Sequence, residues 1–455
     1  MYKFTVEQVL EERFLTRLVE KFRNREIPGY DKLERYYMAE NDAIKNRSMK
    51  KGKPNNKIAH GFARYISNMA TSYFIGKPVR YQADDDEYNR MLNDYMDDTY
   101  NHNYEISKSA SKKGIAFELM YVNEKSILKT KKYEAEEIIP VYSSRPDEFL
   151  ECGIHIWEER DLNGNLLGDY ADVYDNANIW RFKRRNKAAL YEFYEIQSHM
   201  LNDVPIIVYW NNEEQLGDYE EVISQIDAYD RGQSNTANDM DYFTDAYLVL
   251  TGAQGGLTDE EYNDLSPEDA ERSLRENRLI YLDEKGTAQF LTKNSADTQT
   301  ENYKNRLFKD IFFISQVPPM TDESFAGDLS GIALRYKLIG LEQLAIMKEN
   351  KFRQAQQKKL KILTGWINLK ESRHFDSSTV KQIYERNFVD NMKEMIENAG
   401  KLEGVVSKET QLSVLPSSVV KDAKEEINRI RKEAREDELQ YKEPLEESLM
   451  EPENE

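Results

Sequence analysis

The chain has 455 residues, enough to bury a sizeable core and to hold several modules. It carries 83 acidic against 63 basic side chains, a formal net charge of -20, which argues against a surface that grips nucleic acid throughout. A single cysteine, Cys152, excludes an intramolecular disulfide framework and fits a reducing compartment.

The opening stretch MYKFTVEQVLEERFLTRLVEKF holds acidic groups throughout and no continuous apolar core, so no secretory leader is expected. No run of ~18 apolar residues occurs, which predicts a soluble, cytosol-made protein without a membrane span. Apolar residues Phe4, Val9, Leu10, Phe14, Leu18, Val19 and Phe22 predict a helix over residues 3–23. Pro28 and Gly29 are expected to end it, with a second helix over 30–40. Residues 43–83 contain no Asp or Glu but nine Lys/Arg; a helix is predicted to reach Gly76, with KPVRYQ following as a strand. Residues 88–114 predict two more helices. From 153 to 208 the pattern switches to period two, and GIHIWEERD, LLGDYADVYD, NIWRFKR, ALYEFYEIQ and PIIVYW read as antiparallel strands, with a turn at Asn163-Gly164. The first half is therefore α+β.

Residues 217–251 follow the i+3/i+4 rule and predict one helix roughly 50 Å long. Its middle, DRGQSNTANDMD, is too polar for an ordinary core. Gly252, Gly255 and Gly256 stop it; a small insert follows, with a helix and a hairpin over 278–293 turning at Lys285-Gly286. A second helix over 297–316 is broken by Pro318 and Pro319. A loop comes next, and Ser330 caps a long helix to about residue 369, with kinks at Gly340 and Gly365. Short helices follow, and the tail YKEPLEESLMEPENE reads as disordered.

No catalytic pattern accompanies these elements. The histidines His60, His102, His155, His199 and His374 lack metal-ligand spacing, and GAQGG lacks the Lys-Ser/Thr of a phosphate loop. DLNGN at Asp161 opens like a calcium loop, but Leu166 stands where the turn glycine belongs, so a hairpin turn is expected. The run Asp84, Asp85, Asp86, Glu87 is the one place where a metal-dependent nuclease could be sought; a solvated loop is the simpler reading. Two basic stretches remain, 43–83 and KENKFRQAQQKKLK (348–361), the latter read as a basic helix face that meets DNA or acidic neighbours in an assembly. No cofactor, metal or catalytic residue is expected.

Three segments, PNNKIAHGFARYISNMATSYFIGKPVRY, VPIIVYWNNEEQLGDYEEVISQIDAYDRGQSNTANDMDYFTDAYLVLTG and SGIALRYKLIGLE, together resemble the portal proteins of tailed bacteriophages, in particular those of long-tailed phages of Gram-positive hosts. The resemblance covers roughly residues 1–400. It implies an α+β portal architecture: an α/β wing (1–216), a stem helix (217–251), a small α/β clip (252–296), a second stem helix (297–316), a tunnel loop (317–329), a long wing helix (330–375), crown-like helices (376–440) and an acidic disordered tail (441–455). It further implies a ring, usually of twelve subunits, at one capsid vertex of the virion, assembled in the host cytoplasm. Double-stranded DNA passes through its channel during packaging and ejection. The implied partners are the terminase large subunit, a head–tail adaptor, and the major capsid and scaffold proteins.

Carried onto this sequence, the resemblance puts Val317, Met320, Thr321, Asp322, Glu323, Ser324, Phe325 and Asp328 in the DNA-facing tunnel loop. Asp230, Asp239, Asp241, Lys304 and Arg306 fall on the stem's channel wall, and Glu260, Glu261, Asp264, Glu268, Arg272 and Arg275 on the clip surface that meets partners. With eight carboxylates against Arg231 in its first helix, the stem is expected to repel DNA, as suits a conduit that must not hold its cargo. The alternatives are a scaffold or minor capsid protein without a channel and a metal-dependent DNA-processing enzyme using Asp84 to Glu87.

Overall fold

The computed structural model describes residues 2–50, 53–96, 99–243, 247–251, 287–291, 297–320, 331–387, 392–415, 419–420 and 422–448. Two compact units emerge, one of residues 1–318 with 340–386 and one of residues 319–339 with 387–455.

In the first unit, the helix expected over 3–23 is split. Thr5 Oγ1 accepts the Gln8 N–H while the Gln8 side chain accepts the Thr5 N–H. This capping box starts a separate turn at Val6–Val9 and frees Tyr2–Lys3 (β1) to pair with a sheet. Helix α1 then runs over Glu12–Arg25. Pro28 and Gly29 do not end a helix; they lie in the first turn of α2 (Ile27–Tyr37), where proline's missing N–H costs nothing. Helix α3 (Phe62–Ile75) stops at Gly76, and a short strand β2 (Arg80–Gln82), α4 (Asp86–Met96) and α5 (Tyr100–Lys113) follow.

Strands β3 (Ile115–Val122), β4 (Leu128–Tyr133), β5 (Ile138–Tyr142), β6 (Leu150–Arg160), β7 (Leu166–Tyr174), β8 (Asn178–Arg184), β9 (Glu192–Ser198) and β10 (Ile206–Trp210) form two sheets. One has the order β1-β5-β6-β7-β8-β9, antiparallel except for β1 beside β5. Its period-two residues Ile154, Ile156, Ala171, Val173 and Phe182 pack against Leu15, Leu18, Val19 and Phe22 of α1. Cys152 is buried in this core, and burial pushes its thiol far above the usual range, so it is a small apolar packing residue. Asp161 Oδ1 accepts the N–H groups of Asn163 and Asn165, and Gly164 adopts φ 82°, which makes DLNGN the β6–β7 hairpin turn. Strand β10 leaves that series and joins the second sheet, order β10-β3-β4.

A 33-residue helix, α9 (Ile339–Glu371), lies over the second sheet, joining Phe352, Leu360, Leu363 and Ile367 to Tyr88, Leu92, Ile106, Met120, Ile207 and Tyr209. Here the sequence reading of a basic surface on 348–361 is corrected for two of its lysines, Lys348 and Lys359, which are buried. Lys359 Nζ lies 2.7 Å from Glu118 Oε1 on β3, both buried; His102 Nε2 sits 2.8 Å from the same oxygen, and Tyr209 OH donates to Glu118 Oε2 at 2.6 Å. Burial by itself raises the Glu118 carboxyl, but Lys359 and His102 outweigh it and hold the group at about 2. Lys348 Nζ donates to Asn211 Oδ1 at 2.5 Å and pairs with Asp218 Oδ2 at 2.6 Å, again buried. These lysines neutralise carboxylates of their own chain.

Gly114 ends α5 at φ 77°, and a Cβ there would lie 2.2 Å from the Gln215 carbonyl oxygen; one on Gly217 would lie 2.6 Å from the Lys112 carbonyl oxygen. Only glycine permits this backbone contact between the end of α5 and the approach to the next long helix.

That helix, expected over 217–251, is shorter. A 3-10 turn at Glu220–Val222 leads into α6 (Ile223–Phe243), and Tyr247–Thr251 is a strand, β11, antiparallel to β12 (Thr287–Leu291). The aromatic and aliphatic run Tyr-Leu-Val-Leu-Thr satisfies helical spacing, yet suits a strand once a partner is present. Strand β12 falls in the expected hairpin, but its described partner is β11. Helix α7 spans Asp297–Ile314. Strand β13 (Lys381–Ile383) pairs with β2, so the start of the region expected to be crown-like belongs to the first unit.

The second unit contains α8 (Gly331–Lys337), α10 (Met392–Lys401), α11 (Lys408–Ser413) and α12 (Ala423–Ser448). The long helix expected from Ser330 is thus two, α8 and α9, separated at Leu338 beside Gly340, while Gly365 leaves α9 unbroken. Helix α12 runs into the tail expected to be disordered, because its Glu, Lys, Arg and Leu are strong helix formers, Pro444 notwithstanding. No described helix is long and apolar enough to cross a membrane.

Candidate functional site

The polar middle of α6 is covered by Asn41 and by an irregular strap, residues 54–60. Asn41 Nδ2 donates to Asp230 Oδ2; the His60 N–H and Nδ1 lie 3.1 and 2.7 Å from Asp230 Oδ1. The Ile58 N–H reaches Ser234 Oγ at 3.0 Å, the Asn56 N–H reaches Asn238 Oδ1 at 2.7 Å, and Asn56 Nδ2 reaches Asp241 Oδ2 at 2.5 Å. Asp230, Ser234, Asn238 and Asp241 recur at three- and four-residue intervals, one face of a helix. Sequence reasoning saw the polarity and missed this stripe, whose spacing was the available signal.

An aromatic cluster fastens α6 to α7 beside the strap. Phe308 and Phe312, one turn apart on α7, have ring centroids 4.8 Å apart. Phe62 lies 5.2 Å from Tyr229 and 5.9 Å from Phe312, and Tyr65 lies 5.6 Å from Phe312. Lys304 is buried against Gly232 and pairs with Glu301, its Nζ reaching Thr236 Oγ1 at 3.5 Å.

Two residues expected on the channel wall, Asp230 and Lys304, are buried in the chain, Asp230 hydrogen-bonded to Asn41 and His60 and Lys304 paired with Glu301. Asp239, Asp241 and Arg306 are exposed, as is Arg231. Other carboxylates of residues 217–243 are likewise consumed. Asp218 pairs with Lys348, and Asp227 accepts the Tyr36 hydroxyl at 2.7 Å while burial raises its carboxyl. Counting acids along the helix overstates the charge it presents.

Val317 is buried, Pro318 accepts the Tyr65 hydroxyl at 3.0 Å, and Met320 is exposed. Thr321, Asp322, Glu323, Ser324, Phe325 and Asp328 lie outside the described residues, as do Glu260, Glu261, Asp264, Glu268, Arg272 and Arg275. The acidic run at 84–87 is a helix start: Asp85 Oδ1 accepts the Tyr88 N–H at 2.8 Å, and Glu87 pairs with Arg373 at 2.6 Å. Among the described residues no three His, Cys, Asp or Glu side chains gather as a metal site.

The family model "Phage portal protein, SPP1 Gp6-like" matches residues 19–439. The chain belongs to this phage portal family. It is 25% identical over 437 residues to the portal protein of Bacillus phage SPP1, covering 88% of this chain and 82% of that protein. It is 24% identical over 406 residues to the portal protein of Clostridium phage phiCD119, covering 82% and 85%. A solved structure described as "Neck of empty GTA particle computed with C6 symmetry" aligns with a TM-score of 0.46 at 12% identity, over 78% of this chain and 90% of that one. Portal proteins are structural and non-enzymatic, which removes the nuclease reading of Asp84 to Glu87. The expected α+β portal fold holds, and the protein is a component of the phage virion at its portal vertex.

Proposed function

We propose that this portal protein assembles into a ring, usually of twelve subunits in the family, whose channel carries double-stranded DNA during packaging and ejection. Beside family membership, one observation carries the reading. The α6–α7 pair is polar along much of its length yet leaves Phe313 84% and Tyr303 52% exposed on α7. Large exposed apolar side chains on an otherwise polar helix mark a surface that packs against something. Neighbouring copies around a ring bury them and leave a polar face for the channel.

On this reading Asp239, Asp241 and Arg306 contribute to the wall, and residues 317–329 form the loop nearest the DNA. Residues 252–296 form the surface that meets the terminase large subunit and later the head–tail adaptor. Major capsid and scaffold proteins meet the ring as it assembles in the host cytoplasm. The residual acidity of the wall suits a conduit, since each neutralised phosphate adds to retention of the duplex.

Shortening the segment 322–328 tests the loop assignment. Rings of unchanged mass are expected, with reduced packaged DNA in a packaging assay. Normal packaging by intact rings of the shortened protein shows that the loop lies elsewhere.

A further inference from the structure

The first unit holds a cavity of about 670 Å³ between α9 and the two sheets, away from α6 and α7. Phe149, Val208 and Trp210 give it an apolar side, and Lys351, Lys358 and Lys361 of α9 give it a cationic one. Two of these lysines have carboxylate partners already: Lys351 pairs with Glu213, and Lys361 Nζ lies 2.9 Å from Asp203 Oδ2. Lys358 differs. Its Nζ donates to the Ile206 carbonyl at 3.1 Å, and no described carboxylate forms an ion pair with it.

An ammonium has three donors, and a backbone carbonyl satisfies one of them without neutralising the charge. Beside the apolar wall of this cavity the remainder is under-compensated, and an incoming carboxylate would gain a charge-assisted hydrogen bond there. Burial pushes the Lys358 ammonium down to about 8; Asp203 opposes that shift and Lys361 adds to it. The space holds several side chains, more than one small anion fills, and Phe149, 42% exposed, offers an apolar contact beside the cation. Asp203 disfavours a continuous polyanion at the same place.

We propose that this cavity docks an acidic segment of a partner protein, with one carboxylate on the Lys358 ammonium and an adjacent apolar side chain against Phe149 and Trp210. The proposal stands apart from the ring and channel reading.

The test uses the full chain and a fluorescein-labelled peptide alternating Glu with Leu, with a Gln–Leu peptide as neutral control. The Glu–Leu peptide is expected to bind about 10-fold or more weakly to Lys358→Met, as loss of one charge-assisted hydrogen bond implies, and to bind Lys309→Met unchanged. The Gln–Leu peptide should bind the unaltered protein as weakly as the Glu–Leu peptide binds Lys358→Met. Methionine keeps the length of the side chain and removes the unpaired charge, so the fold should persist. If that variant fails to fold, the NMR signal of the Lys358 ε-methylene in the unaltered protein decides: a shift on adding the Glu–Leu peptide supports the proposal, and no shift overturns it. Equal binding to Lys358→Met overturns it, as does a response to inorganic phosphate alone with none to the peptide.

Discussion

Replacing Glu118 with alanine should destabilise the first unit by about 3–5 kcal/mol, measured by urea unfolding at neutral pH, because it strands the buried Lys359 ammonium without its counter-ion. The loss arises from the unpaired charge more than from the pair itself. The double variant Glu118→Leu/Lys359→Met, which removes both charges, should therefore recover most of the stability. A double variant as unstable as the single one would show that packing, not charge, sets the cost. The pair also predicts a pH dependence. The folded Glu118 carboxyl is depressed from 4.5 to about 2, so its contribution is fully present above the ordinary carboxylate range and is lost as pH falls through that range towards about 2. The unaltered protein should lose stability over that window more steeply than the double variant, which has no carboxyl there to protonate.

The second large effect is expected at Ala237, in the middle of α6. Proline there removes the hydrogen bond to the carbonyl four residues earlier and sets its ring against that carbonyl, costing about 3 kcal/mol or more. It also disturbs Asn238 and Asp241, which hold Asn56 of the strap. Ala237→Pro should thus abolish ring formation, followed by light scattering, while strands β1 to β10 stay folded by circular dichroism. Rings at the normal yield would separate α6 from assembly.

The legible parts of this fold are those fixed by local patterning. Strands β6 to β8 were legible because Ile154, Ile156, Ala171, Val173 and Phe182 stand at every second position on the face packed against α1, and Asn163-Gly164 marked its turn directly. The end of α6 was not legible, since Tyr247 to Thr251 fits helical spacing and becomes a strand only through β12, well over thirty residues away. The buried lysines of α9 misled for a related reason. Lys348 and Lys359 find their carboxylates on Asp218 and Glu118, more than a hundred residues earlier, so the sequence shows a basic stripe where the fold has internal ion pairs. On α6 and α7, spacing put Asp230 and Lys304 on helices correctly but said nothing of the strap and the neighbouring helix that cover them. Family resemblance was legible in three separated motifs, though none of them carries chemistry of its own.

The proposed function requires copies of this chain to close into a ring around an open channel. Negative-stain electron microscopy of the purified protein, with its mass from light scattering, tests it most directly. Rings with a central hole wide enough for duplex DNA are expected, with a mass that is a fixed multiple of the 53.5 kDa chain. Closed particles without a hole, or monomers at every concentration and also when co-expressed with capsid and scaffold proteins, would contradict it.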